Sequence, residues 1–218
     1  MNILVTGATG MVGAEVIREA ILDDDIGEIT ALVRRPLNIQ HTKLKTILHQ
    51  DFLDYSNLGD AFKKCDACLW CLGISQTQVS KEQYKVITYD YVVAGAAAMA
   101  QANTGMTFLF LSGLGADSSE KSVTLFGRLK GKAENALKNF TFKKLYIARP
   151  GAIQPVHKKE NPTLAEKIFV PLYPLFALLS PTFVITSVEL ARAMLFIVKH
   201  APEKTLFYNA DLKEIVKS

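Results

Sequence analysis

The sequence predicts a doubly wound α/β fold of the Rossmann type, a parallel sheet with helices on both faces. Three observations carry this prediction. Apolar runs of strand length alternate with longer segments of helical period, which is typical of repeated βαβ units. A glycine-rich segment, residues 7–13, joins the first strand to the first helix. The 218 residues, of which 49% are hydrophobic, suffice for a single domain with a large buried core.

The predicted elements follow in chain order. Strands are predicted at residues 2–6, 29–33, 46–49, 67–72, 107–111 and 144–148. Helices are predicted at residues 11–22, 81–102 and 124–138. In the first helix, apolar residues recur at spacings that place them on one buried face. Residues 1–151 therefore form the predicted dinucleotide-binding core of one domain, residues 1–218.

The pattern changes in residues 152–218, where prolines interrupt an apolar stretch at residues 164–185. That stretch is long enough to span a membrane, but Glu166, Lys167 and the prolines within it argue against a spanning helix. We expect a small C-terminal helical cap there. A homodimer face and a shallow membrane contact are the alternatives. A helix at residues 187–198 and a short strand at 205–208 complete the predicted elements.

Composition and charge exclude several classes of protein. The net charge of +4 comes from scattered basic residues and lacks the clustered basic face of a nucleic-acid binder. The N-terminal residues lack the pattern of a signal peptide, so a cytoplasmic location is expected. The three cysteines, Cys65, Cys68 and Cys71, are too few and too crowded for a disulfide framework.

The glycine-rich segment is the strongest functional signal. Gly7 permits a tight turn, Gly10 allows the backbone to approach a pyrophosphate, and Gly13 allows close packing of helix on strand. The free N–H groups at the start of the helix then face the phosphates. The alternative is a turn with a structural role alone. The βαβ context favours nucleotide binding.

The end of the second predicted strand indicates which cofactor binds. An acidic side chain there would hold the ribose 2′-hydroxyl of NAD, whereas this chain has Arg34 and Arg35. Guanidinium groups suit a 2′-phosphate, so NADP is predicted in preference to NAD, unless both arginines simply point into solvent. Asp51 and Phe52 follow the third strand, where the adenine would lie. Asp51 would accept a hydrogen bond from the adenine amino group; the alternative is that Asp51 is an ordinary cap.

Metal and hydrolase chemistry are not predicted. The C-x-x-C-x-x-C run at residues 65–71 overlaps the fourth predicted strand, and an extended strand separates its ends too far for one metal. These cysteines are interpreted as small buried residues. The four histidines lack metal-ligand spacing, and Ser112 lies outside a G-x-S-x-G motif.

A set of segments, taken together and in this order, resembles the atypical short-chain dehydrogenase/reductases. They are residues 6–13, Asp51-Phe52, Cys71-Leu72-Gly73, Leu111-Ser112, Lys130 and Arg149-Pro150-Gly151. Within that superfamily the chain is most similar to the small NmrA-like and Tat-interacting-protein-like group, in which Cys-Leu-Gly, Ser-x-x-Gly-Ala-Asp and Lys-Gly-x-x-Glu segments occur. The resemblance runs to about residue 155.

The resemblance implies roles for individual residues. The pyrophosphate would be held by the backbone of Thr9, Gly10, Met11 and Val12. The adenosine and ribose side would be lined by Cys71, Leu72 and Gly73. Ser112 would stand beside the nicotinamide and Lys130 would hydrogen-bond its ribose. The nicotinamide ring would be bordered by Pro150 and Gly151.

One position departs from the family's catalytic set of Ser, Tyr and Lys. The tyrosine should lie four residues before the lysine, where this chain has Phe126, and a phenyl ring has no proton to transfer. The proton for a carbonyl reduction would then come from Ser112, from water or from one of three other tyrosines. Those candidates are Tyr84, Tyr89 and Tyr91.

Three functional hypotheses follow. The leading one is an NADP-dependent oxidoreductase that transfers a hydride to a small carbonyl, quinone or flavin-like acceptor. The second is a regulatory or assembly protein that senses NADP without turning it over, which Phe126 favours. The third is a nucleotide-sugar epimerase, for which the residues after Gly151 leave little room for a sugar-binding domain.

Overall fold

A computed structural model describes residues 1–157 and 183–217. The first elements are β1 (Asn2–Thr6), α1 (Met11–Leu22), β2 (Glu28–Val33), β3 (Leu44–Leu48), a 3-10 turn (Ser56–Leu58), α2 (Gly59–Lys63) and β4 (Ala67–Trp70). Next come α3 (Lys81–Lys85), a π-helical turn (Val86–Asp90), α4 (Tyr91–Ala102), β5 (Thr107–Leu111), α5 (Leu125–Leu137) and β6 (Lys144–Arg149). The last are β7 (Ala152–Gln154), β8 (Val184–Thr186), α6 (Ser187–His200), β9 (Leu206–Tyr208) and α7 (Asn209–Ile215).

Seven parallel strands form the main sheet in the order β3-β2-β1-β4-β5-β6-β9. This arrangement confirms the predicted doubly wound fold. The chain reverses its direction of growth between β1 and β4, and ligands of such sheets bind at this switch point, outside the carboxyl ends of the strands. A separate pair, β7 and β8, is also parallel.

Two hydrophobic cores cover the two faces of the sheet. Because side chains alternate along a strand, Ile3 and Val5 of β1 contact one core while Leu4 contacts the other. Helices α1 and α6 pack on the first face, and α4 and α5 pack on the second. The sheet is therefore buried on both sides, which explains the continuous apolar runs that predicted its strands.

Several predicted elements differ from the structure. The predicted helix at residues 81–102 contains a π-helical turn, Val86–Asp90. The predicted strand at 46–49 is Leu44–Leu48, an edge strand whose exposed residues hide its start. Helix α6 extends to His200, and its start is capped reciprocally by Thr186 and Glu189. Elements α2, β7, β8 and α7 were not predicted, since each is very short or lacks a clear period.

The predicted helical cap at residues 164–185 lies outside the described residues up to position 182. Val184 and Ile185, the last two residues of this stretch, are described and belong to strand β8. The prediction of a helix is wrong for these two residues. Among residues 1–157 and 183–217, no helix is long and apolar enough to cross a membrane.

Candidate functional site

The glycine turn lies where β1 ends, at the switch point of the sheet. Gly7 has a φ of +67°, a backbone conformation that favours glycine. A Cβ atom at Gly7 would lie 2.6 Å from the carbonyl carbon and oxygen of Cys71. The turn is thus pressed against the chain that leaves β4, and Thr6 Oγ1 accepts a hydrogen bond from the Leu72 N–H at 3.2 Å.

The start of α1 packs directly on this turn. A Cβ at Gly13 would lie 2.3 Å from the Gly7 carbonyl oxygen, so only glycine allows this approach. Gly10 is the N-cap and supplies no side-chain acceptor, and the first turn of α1 contains no acidic residue. The first N–H groups of the helix, beginning with those of Met11 and Val12, therefore suit an anionic ligand.

A shallow open groove extends from this turn toward the end of β2. Its lining comprises Gly7, Ala8, Thr9, Leu32, Val33, Arg34, Arg35, Phe52 and Leu72. Six of these were predicted as cofactor-binding residues, and Ala8, Leu32 and Val33 were not. Arg34 and Arg35 are exposed, and their guanidinium groups form no ion pair within the described part of the chain.

Asp51 and Gly73 lie apart from the lining of this groove. The carboxylate of Asp51 accepts a hydrogen bond from the Leu53 N–H at 2.9 Å and so caps a local turn. Around Gly73, a Cβ atom would meet no atom of the described residues within 4 Å. Phe52, by contrast, is buried and packs on Tyr91, with ring centroids 5.7 Å apart. The groove therefore has a rigid aromatic base at Phe52.

A buried network surrounds Ser112 at the end of β5. The Ser112 hydroxyl donates to Glu134 of α5, and the Ser112 N–H donates to the Ala148 carbonyl at 2.8 Å. Glu134 is held by Arg149 of β6, whose Nε lies 2.9 Å from Oε1 and whose Nη2 binds Oε2. The sequence interpretation assigned no role to Glu134 or to the Arg149 side chain.

Lys130 lies one helical turn before Glu134 and faces the same end of β5. Its Nζ donates to the Leu111 carbonyl at 2.8 Å and lies 4.5 Å from the centre of the Phe110 ring. Burial lowers the pKa of Lys130 from its ordinary 10.5 to about 8, against the opposing effect of Glu134. An ammonium with this pKa can exchange its proton near neutral pH.

This pKa leads to a prediction about stability. Between pH 8 and 10.5 the unfolded chain binds more protons at Lys130 than the folded chain does, so the free energy of unfolding should rise with pH, by the order of 3 kcal/mol in total. Below pH 8 the penalty is fully present. Urea titrations from pH 7 to 10 should show this rise in the wild type and not in Lys130→Met. The exposed neighbour Lys132→Met should retain it, and parallel curves for the wild type and Lys130→Met would contradict the prediction.

Phe126 packs against Gly113, the residue that follows Ser112. A Cβ atom at Gly113 would lie 2.7 Å from the Phe126 Cζ, so the ring packs directly on this glycine. Tyr84 is buried, and Tyr89 lies beneath the ammonium of Lys132 at 4.7 Å. No hydrogen bond in residues 1–157 and 183–217 joins Tyr84, Tyr89 or Tyr91 to Ser112 or Lys130.

The segment after β6 is anchored beside this network. The Pro150 carbonyl accepts from the Leu114 N–H at 2.8 Å, and the Gly151 N–H donates to Asn209 Oδ1 at 2.8 Å. A Cβ at Gly151 would lie 2.0 Å from the Phe183 carbonyl oxygen. Pro150 and Gly151 are therefore held rigidly at the carboxyl edge of the sheet, as are Ser112 and Lys130.

The three cysteines lie before, within and directly after β4. Cys65 and Cys68 are buried, whereas Cys71 is partly exposed. Burial raises the pKa of the Cys65 thiol to about 11 and that of Cys71 to about 12, although Lys130 lowers the latter. Within the described ranges, no group of three or more His, Cys, Asp and Glu side chains is placed to hold a metal ion.

Comparison with known proteins gives the family. A family model described as NAD(P)H-binding matches residues 7–165. HTATIP2 of Rattus norvegicus is 27% identical over 173 residues, covering 77% of this chain and 70% of that protein. The mitochondrial FMP52 of Candida albicans is 29% identical over 165 residues, covering 74% and 71%.

The solved structures agree in fold. A UDP-glucuronic acid 4-epimerase from Bacillus cereus, in complex with NAD, has a TM-score of 0.69 at 13% identity, covering all of this chain and 85% of that one. The glycine turn, the helix start and the strand order are thus those of a dinucleotide-binding fold. The chain belongs to the NAD(P)H-binding family.

Proposed function

We propose that the protein is an NADP-dependent oxidoreductase that reduces a small carbonyl, quinone or flavin-like acceptor. One observation carries the choice of NADP: Arg34 and Arg35 line the groove beside the glycine turn, and no carboxylate neutralises them in the described part of the chain. Two guanidinium groups left unpaired at this point fit a 2′-phosphate. Among the described residues that line the groove, none is acidic, whereas an acidic side chain would fit the ribose hydroxyls of NAD.

The residues present fit the cofactor at both ends. The cradle formed by Gly7 and Gly13 is one that a Cβ atom would fill, and the uncapped start of α1 would hold the pyrophosphate. Leu72 and Phe52, which both line the groove, would contact the adenosine. When bound, NADPH supplies a hydride equivalent, which is chemistry that the protein itself does not have.

The chain's own groups would orient the cofactor and supply a proton to the product. Lys130 would hold the nicotinamide ribose and is the buried group whose pKa of about 8 allows proton exchange. Ser112 would lie beside the ring, on the rigid support of Glu134 and Arg149. Phe126 has no proton to supply, so the proton that the reduced acceptor takes up comes from water or from Lys130.

Removing both arginines tests the cofactor assignment. The double variant Arg34→Ala/Arg35→Ala should bind NADP⁺ at least about 100-fold more weakly by calorimetry, because each of the two lost charged hydrogen bonds contributes about 1.5–3 kcal/mol. Affinity for NAD⁺ should change less than about threefold. The control Lys143→Ala/Lys144→Ala removes the same charge at the opposite end of the sheet and should leave NADP⁺ binding unchanged. Equal losses for both cofactors, or for both variants, would exclude a 2′-phosphate contact.

Phe126 favours a second candidate function, an NADP-sensing protein without turnover. The Phe126 ring packs on Gly113, the neighbour of Ser112. A tyrosine at position 126 would place its hydroxyl near Ser112, and this chain lacks that hydroxyl. If the protein is such a sensor, NADPH should bind tightly and remain unoxidised with aldehydes, ketones, quinones and flavins.

Restoring the hydroxyl separates the two candidates. For an oxidoreductase limited by proton supply, Phe126→Tyr should raise ketone or aldehyde reduction by about 100-fold or more, the usual contribution of general acid catalysis. Phe126→Leu is the matched control and should give no gain. NADPH consumption followed at 340 nm is the measurement, and a Phe126→Tyr variant without any turnover would support the sensor.

A further inference from the structure

The buried Glu134 carboxylate determines which way the Ser112 hydroxyl points. Its Oε1 accepts from Arg149 Nε at 2.9 Å and from the Ser112 Oγ, and its Oε2 accepts from Arg149 Nη2. A guanidinium has donors only, and a carboxylate paired with it has acceptors only. The single hydrogen of the Ser112 hydroxyl therefore points at Glu134.

The surroundings prevent this arrangement from rotating. Glu134 is 1% exposed, and Ser112 and Arg149 are each 7% exposed. Arg149 is anchored further by Ser118 Oγ at 2.9 Å and by the Tyr208 hydroxyl at 3.3 Å. A buried ion pair with these partners is held because breaking it would leave charges without compensation. Ser112 consequently has only lone pairs left for a ligand.

We propose that Glu134 is a positioning residue that makes Ser112 a hydrogen-bond acceptor, so that the ligand group bound at Ser112 is an N–H or O–H donor. For NADP this donor is the N–H of the nicotinamide carboxamide. The inference rests on the proposed function, which puts the nicotinamide beside Ser112. It also means that Ser112 does not donate to a carbonyl oxygen of the acceptor while Glu134 holds its hydrogen.

A pair of cofactors tests this directly. In 3-acetylpyridine adenine dinucleotide phosphate, a methyl group replaces the amino group of the carboxamide, which removes the donor and keeps the carbonyl. Calorimetry should show that the wild type binds NADP⁺ about fivefold more tightly than the analogue, the typical effect of one hydrogen bond. Ser112→Ala, which retains the ion pair, should bind the two equally.

The Glu134→Met/Arg149→Met variant tests the positioning step. It removes the acceptor of the serine hydrogen together with the ion-pair partner of that acceptor, so the hydroxyl can donate toward the cleft. The fivefold preference for NADP⁺ should then fall to less than about twofold. Glu134→Gln is the matched control and should keep the preference, because an amide oxygen in place of Oε1 still accepts from Ser112 and from Arg149 Nε. A double variant that folds and keeps the preference overturns the proposal; if it fails to fold, a preference retained by Ser112→Ala overturns it instead.

The fragment 2′,5′-ADP, which lacks the nicotinamide half, is the control. It should bind the wild type and all three variants equally, because the groove at Arg34 and Arg35 is untouched. A parallel loss of affinity for all three ligands would indicate a structural role alone and would overturn the proposal. Equal binding of NADP⁺ and the analogue to the wild type overturns it while the proposed function stands. Failure of NADP⁺ to bind the wild type removes the proposed function itself.

Discussion

Replacing Arg149 with methionine is expected to lower the free energy of unfolding by about 3 to 5 kcal/mol, the usual cost of removing one partner of a buried ion pair. Glu134 is 1% exposed and would lose its guanidinium partner, while the Ser112 hydroxyl would still donate to it. Urea denaturation followed by circular dichroism at neutral pH measures the loss.

The double variant Arg149→Met/Glu134→Met is the control. With both charges removed, the site becomes apolar, and much of the lost stability should return. The two substitutions should therefore be strongly non-additive. If the free energy of unfolding of Arg149→Met lies within about 1 kcal/mol of the wild-type value, the prediction is wrong and another group compensates the Glu134 carboxylate.

Gly13→Ala should have the second large effect, on ligand binding and stability together. The new Cβ would lie 2.3 Å from the Gly7 carbonyl oxygen and 2.7 Å from its carbon, so the helix start or the turn must move. Such overpacking costs about 1–3 kcal/mol of stability. A shift of the N–H groups that face the phosphates should weaken NADP⁺ binding about 10- to 100-fold by calorimetry, because one hydrogen bond to a charged group contributes about 1.5–3 kcal/mol.

Gly59→Ala is the matched control. A Cβ atom at Gly59, in helix α2, would meet no atom within 4 Å in the part of the chain that the structure describes. The same substitution should therefore leave binding intact and stabilise the helix by up to about 1 kcal/mol. Unchanged NADP⁺ affinity in Gly13→Ala would show that the phosphates bind elsewhere.

The central elements could be predicted from sequence because their burial is complete. β1 and β5 have the predicted bounds, and α1 begins and ends as predicted, since its apolar residues repeat with a clear helical period. The predicted bounds of the edge strand β3 begin two residues late and end one residue late, because exposed positions such as Lys45 weaken its apolar pattern. Three-residue strands such as β8 carry too little pattern to be found.

At the candidate site, the glycine turn was predictable because it depends on local geometry. Glu134 and Arg149 lie in segments that were already singled out, yet their pairing joins a helix to a strand 15 residues later. A signal for Glu134 was present: with Lys130 and Leu137 it shares the buried face of α5, at spacings of four and three residues. Charged residues on such a face require partners.

The contact between the glycine turn and the chain after β4 also has a consequence for folding. Gly7 is pressed on Cys71, and the hydrogen bond of Thr6 to Leu72 spans 66 positions of sequence. The N-terminal residues emerge first during synthesis, but the turn acquires its final shape only after β4 has joined the sheet. A nascent chain that ends before β4 should thus be unable to bind a dinucleotide, and ligand retention would report that the long-range pairing of β1 with β4 is complete.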